Sequence, residues 1–143
     1  MVCMDVGYDE EPHDFIIGLE MLNSSGEIRV SMDLDFFKGS IQHQDMPLHG
    51  AMAKLSNAVL ALFWSGDTPL LGTLTVSLPD GGSSPLLGDR DRQMGLILGS
   101  HIAKETGVMA LVSVHLPAGV GQDVGRSLLV LVRDLLERLG KDE

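Results

Sequence analysis

One cysteine, Cys3, occurs in 143 residues, so no internal disulfide can staple the chain, and a reducing compartment is its expected setting. Aromatic residues make up only 4% of it, which leaves Leu, Val, Ile, Ala and Met to fill any interior. Cations are scarce as well: 10 Lys and Arg stand against 20 Asp and Glu, a formal charge of −10. Such a field repels phosphate backbones and anionic lipid, so neither nucleic acid nor a membrane is an expected partner. No apolar run reaches the roughly 18–20 residues that a membrane helix needs. The acidic opening from Met1 to Glu11 lacks the basic start and apolar stretch of a secretory signal, and Val2 rules out N-myristoylation. The expected location is the cytoplasm, with the nucleus open as a second one.

Catalytic signatures are missing too. No Gly-Lys-Ser/Thr follows a strand, no G-x-S-x-G elbow occurs, and Cys3 sits in a tail where no fixed base could orient it. The segment Gly119-Val120-Gly121-Gln122-Asp123-Val124-Gly125 follows a strand and opens a helix, as a dinucleotide fingerprint does. Its last glycine comes one position late, however, and the helix runs to Glu143 with no second strand after it to hold a ribose. His13, His43, His49, His101 and His115 are scattered; His43 with Asp45 comes nearest to a dyad. Asp33 and Asp35 share one strand face and read as solvated acids. The reading is of a protein that is not an enzyme and takes no cofactor or metal.

What is present is packing material. The length suits one domain, and hydrophobic residues make up 44% of the chain. Residues 1–13 read as an acidic flexible tail, followed by one compact α+β domain over 14–143. Residues 1–22 hold Asp5, Asp9, Glu10, Glu11, Asp14 and Glu20 without one Lys or Arg. Ile28, Val30, Met32, Leu34 and Phe36 alternate with polar neighbours, the period of a half-buried strand, so a hairpin of 14–22 with 27–37 is expected, 14–22 being open to a short helix instead. Residues 38–48 read as a connection or an irregular edge strand. A strand at 49–56 should pair with Ala58–Trp64, which has no polar face and belongs mid-sheet.

After Ser65-Gly66-Asp67-Thr68-Pro69 the chain returns as a strand to Leu78, with Leu74, Val76 and Leu78 alternating with Thr73, Thr75 and Ser77. A helix begins near Asp89, carries Met94, Ile97, Leu98 and Ile102 as its stripe, and ends at Gly107. Gly95 and Gly99, four apart in it, predict close approach of a neighbouring backbone. A buried strand over Val108–Val114 follows. The last helix, from Asp123, lines up Val124, Leu128, Leu131, Val132, Leu135 and Leu139.

Between the Gly/Ser stretch at 81–84 and the first helix lies Pro85-Leu86-Leu87. Its two leucines either dock beneath that helix or project as an apolar anchor for another protein. Ser84, Pro85, Leu86, Leu87, Asp89 and Arg90 form the candidate partner-binding patch, with two cations, Arg90 and Arg92, beside it.

The order of several short motifs resembles one family. Leu55-Ser56-Asn57, Trp64-Ser65-Gly66-Asp67-Thr68-Pro69, Leu86-Leu87-Gly88-Asp89, Ala103-Lys104-Glu105-Thr106-Gly107, and Val112-Ser113 followed by Leu116 together resemble the proteasome assembly chaperone 4 family. The likeness spans about 55–116 and runs more loosely through 28–54 and 124–139. It implies a small α+β protein, with an antiparallel sheet of about six strands and two main helices. Such a protein pairs with a chaperone 3-like subunit, as a hetero- or homodimer, and binds an α-type proteasome subunit while the α-ring assembles. A dimeric scaffold of the roadblock or longin type, serving GTPase or trafficking complexes, is the alternative that the residues leave open.

Overall fold

The structure is a computed structural model that describes residues 15–17, 20–22, 28–30 and 34–141, with side chains described from residue 34 onward. The chain divides into two compact units, residues 1–34 and 35–143. In the first, β1 (Phe15–Ile17), β2 (Glu20–Leu22) and β3 (Ile28–Val30) form an antiparallel three-stranded meander. The expected hairpin is there between β2 and β3, with Leu22 opposite Ile28. Residues 14–22 hold two short strands instead of one strand or a helix. The alternation from 28 to 36 does not give one long strand either, since Leu34, Asp35 and Phe36 lie in no sheet. The acidic stretch 1–13 with Cys3, and Asp33, lie outside the described residues.

The second unit is a six-stranded sheet with two helices. Its strands are β4 (Phe37–His43), β5 (Met46–Lys54), β6 (Ala58–Ser65), β7 (Thr73–Ser77), β8 (Ser83–Leu87) and β9 (Met109–His115), in the order β4-β5-β6-β9-β7-β8. The helices are α1 (Arg92–Thr106) and α2 (Val124–Lys141). The α+β class with two helices holds, but the sheet is mixed: β6 and β9 run parallel while every other pairing is antiparallel. The cause is topological. After β7 and β8, α1 carries the chain back across the sheet, so β9 enters between β6 and β7 in the direction of β6. The strand 58–64 therefore does not fold back on itself at Ser65–Pro69. Its neighbours are β5 and β9, as its wholly apolar sequence requires.

Both helices pack on one face. Leu48, Met52, Val59, Ala61, Phe63, Val112 and Val114 meet Leu98, Ile102, Leu128, Leu131, Val132, Leu135 and Leu139 in a single buried cluster. All six expected stripe residues of α2 are buried. The α1 stripe is different: it buries Gly95, Leu98, Gly99, Ile102 and Ala103, and leaves Ile97 exposed. The two glycines explain why. A Cβ on Gly99 would stand 2.6 Å from Ser77 Oγ and one on Gly95 2.9 Å from Thr75 Oγ1, so this helix nearly touches β7. Only short side chains fit beneath it. Thr73, Thr75 and Ser77 are consequently the buried face of β7, and its leucines point away, the reverse of what the alternation suggests.

Helix α1 starts at Arg92, three residues after Asp89, and Asp91 stands at the cap position without a side-chain capping bond. Its carboxylate instead accepts the Leu116 backbone N–H at 3.3 Å. Gly107, at φ 76°, ends the helix in the left-handed conformation, as expected. The vague segment 38–48 is an edge hairpin, with Gln44 at its tip in the left-handed region at φ 57°.

Candidate functional site

Strand register determines which side chains share the face that neither helix covers. Residues opposite one another in a sheet point the same way. Ala51, Leu62, Ser113, Leu74 and Leu87 therefore form one row across it. Ala53, Leu60, Leu111, Val76 and Ser84 form the next. Leu60, Leu62, Leu74, Val76 and Leu111 are half-buried, so the middle of this face is aliphatic and bears no charge. Trp64 stands in a third row against His49, their rings 5.7 Å apart. Ser40 shares a 2.7 Å hydrogen bond with the same imidazole and marks the polar border on the β4 side.

Toward β8 the face grows more exposed. A register shift between Leu74 and Thr75 leaves Leu86 as an extra residue between the pairs Thr75–Pro85 and Leu74–Leu87. Such a bulge re-aims its side chains, and both leucines stand out, Leu86 at 51% and Leu87 at 59% exposure. Leu70 and Leu71, just ahead of β7, add to them, with Leu71 at 64%. Gly72 holds that segment in place. Its N–H donates to Ser113 Oγ at 2.9 Å, and a Cβ there would lie 2.0 Å from the Val114 carbonyl oxygen, so no side chain fits.

Ser84, Pro85, Leu86 and Leu87 thus lie on a fully exposed edge strand and not in a loop. Pro85 deprives that edge of one N–H, which makes it a poor template for adding a further strand. Contact here would rest on side chains. Asp89 and Arg90 sit in the turn before α1, both exposed. Arg90 is partly committed within the domain: its guanidinium donates to the Leu116 carbonyl and lies 3.8 Å from Asp91. Arg90 and Asp91 together tie the end of β9 to the start of α1.

The other candidates take different places. His43 shares a 2.8 Å hydrogen bond with Ser127 and approaches Asp123 at 3.6 Å; the described ion pairs and hydrogen bonds of His43 do not include Asp45. These contacts pin the β4–β5 tip to the first turns of α2, a link across 84 residues that sequence spacing cannot announce. Gly119 and Gly121 line a cavity of about 200 Å³ with Arg90, Asp91 and Leu116, and Gly119 adopts φ 84°. Among the described residues, no group of three or more His, Cys, Asp or Glu converges as metal ligands would. No described helix is long and apolar enough to cross a membrane.

What the sequence reading missed is the breadth of the surface. Leu60, Leu62 and Leu111 lie in strands expected to be buried, and the alternation in β7 suggests its leucines as the buried side, whereas Thr73, Thr75 and Ser77 are the buried residues. The signal that could have corrected this was Gly95 and Gly99, since a helix that approaches a strand so closely cannot cover leucines.

No protein-family model matches the chain, and none of the curated proteins matches it. Among solved structures it is similar to a chain from a chaperone complex for yeast 20S proteasome assembly, at 15% sequence identity. The match has a TM-score of 0.58 and covers 77% of this chain and 98% of that one. The two chains share a fold.

Proposed function

We propose that this chain is a proteasome assembly chaperone that works by protein contact, as half of a dimer with a chaperone 3-like subunit, and holds an α-type proteasome subunit during α-ring assembly. The observation that carries the reading is the aliphatic sheet face of Leu60, Leu62, Leu74, Val76 and Leu111, continuous with the exposed leucines of β8. An aliphatic sheet face left open marks a site of protein contact, and a second sheet about 10 Å away is a common cover. The fold likeness to a subunit of a proteasome assembly complex supports the same reading. In this role the dimer partner covers the sheet face, while Ser84, Pro85, Leu86, Leu87, Asp89 and Arg90 border the contact. A specific interface needs roughly 800 Å² per partner, which a face five strands wide can supply. The work is reversible shielding of a subunit surface until the ring closes; it calls for no cofactor and no catalysis, and it belongs in the cytoplasm.

Co-expression with candidate chaperone 3-like subunits, followed by native mass measurement, should give a 1:1 complex that retains α-type proteasome subunits. Recovery of GTPases or trafficking proteins in their place would favour the roadblock or longin alternative. Undiminished partner binding by a Leu86→Ser/Leu87→Ser double variant would remove β8 from the interface.

A further inference from the structure

The helical side of the domain carries a second surface of different chemistry. Because α1 enters β9 and α2 leaves it, the two helices run parallel, and they meet at their first turns. There Gly125 admits Met94: a Cβ on the glycine would stand 3.4 Å from the methionine sulfur. Beyond that contact a groove of about 470 Å³ opens, lined by Gln93, Met94, Ile97, Gly125, Arg126 and Leu129 among others. Ile97 is 51% exposed and Val130 49%, and they are the large hydrophobic residues that the two helices leave in water. Ile97 lies in the groove and Val130 sits one turn beyond Arg126 on α2.

The two helices carry more cations than acids, against the balance of the molecule, although Glu105, Asp134 and Glu137 are exposed on them as well and Asp134 is paired with Arg138. Arg126 lines the groove, Arg133 follows seven residues later on the same α2 stripe, and Lys104 follows Ile97 by seven on α1. All three are exposed, and none has a side-chain hydrogen bond or ion pair among the described residues, whereas Arg90 and Arg138 are engaged within the fold. Three exposed cations without a partner among the described residues, one lining the apolar groove and two further along the same helices, in a protein of charge −10, make a surface complementary to acid with an apolar anchor. Nucleic acid suits it poorly, for the groove floor is aliphatic and offers no aromatic ring on which a base could stack.

We propose that the α1–α2 groove is a docking site for an acidic protein segment that inserts an apolar side chain between Ile97 and Leu129 and sets carboxylates against Arg126, Arg133 and Lys104. This rests on the chaperone reading for its client, and it places the client on the helical side, away from the sheet face assigned to the dimer partner. Two probes separate the inference from that reading. One is a set of purified α-type proteasome subunits; the other is a synthetic Glu-rich amphipathic peptide with leucines at i and i+4, beside its Lys-for-Glu counterpart. The intact chain, alone and with its dimer partner, should bind the acidic peptide and not the basic one, and binding should fall steeply between 50 and 300 mM salt.

Arg126→Glu/Arg133→Glu should weaken both the peptide and the subunit by about tenfold or more while the dimer forms as before. Ile97→Ser should weaken them at unchanged charge. If a subunit binds and the charge-reversed variant keeps it within about twofold, the groove assignment is overturned and the chaperone reading stands. Peptide binding that depends on these residues, with no subunit bound, supports the groove and overturns the reading. Binding of neither probe overturns both. Equal, arginine-dependent binding of single-stranded RNA or phosphatidylserine vesicles would overturn the choice of a protein ligand.

Discussion

Ser77 and Gly99 meet where α1 presses hardest on the sheet, and they make a test of packing at single-atom resolution. The Ser77 hydroxyl is buried and has no hydrogen-bond partner, a state that costs about 1–3 kcal/mol. Gly99 in a helix interior forfeits about 1 kcal/mol relative to Ala. Gly99→Ala alone should still destabilise, by about 1–2 kcal/mol, because its new methyl meets that hydroxyl. Ser77→Ala, which removes the unpartnered hydroxyl, should stabilise by about 1 kcal/mol or more, and the double variant should be more stable than Gly99→Ala alone; urea titrations of all four proteins would measure the coupling. Gly72→Ala has no such escape, since its Cβ would collide with the Val114 backbone. A loss at or above the roughly 3 kcal/mol upper end of ordinary overpacking is expected, read as a fall in the urea midpoint. At this scale glycine spacing did predict a close approach, yet which atoms meet there depends on strand order and was out of reach.

Among the elements, α2 was fully legible because every residue on its buried stripe is a large aliphatic at helical spacing. The stripe of α1 mixes small residues with large ones, and counting only the large ones turned Ile97 inward. The β4 edge illustrates a feature that no local pattern reveals. Arg138, in the last turns of α2, donates to the Lys38 carbonyl at 2.5 Å and to Asp134 at 2.7 Å, so it covers part of the free edge of the sheet. The arginine is 44% exposed, so Arg138→Ala should cost only about 0.5–1 kcal/mol in a thermal melt. The clearer effect should be increased self-association in light scattering, because uncapped edge strands pair with one another. At the opposite edge, Leu86→Ser/Leu87→Ser should leave the melting temperature within about 2 °C of wild type, the change being confined to exposed side chains. Any loss of partner binding in that variant can then be assigned to the surface and not to unfolding.

For the molecule as a whole, the two faces of one sheet differ in their cover, and substitution should distinguish them. Leu98→Ala, on the helical side, removes a fully buried side chain and should cost about 2–5 kcal/mol. Leu60→Lys, on the other face, should cost less in the isolated chain and yet abolish the proposed dimer, as followed by native mass measurement and circular dichroism. The class of the fold could be read in advance because strand and helix periods alternate in plain view, and the resemblance to a chaperone family pointed to the fold that the solved structure shares. Strand order could not be read, since it depends on where β9 inserts, and only the packing of α1 decides that.

The late arrival of β9 has a bearing on synthesis. Residues 58–65 and 73–77 are made first, and the strand that joins them spans residues 109–115. On the ribosome the nascent chain therefore carries two strands, each with one edge still unpaired, until residue 115 has been made, which exposes it to misassembly in the interval. Its yield in the cell should respond to any ribosome-associated factor that covers nascent chains.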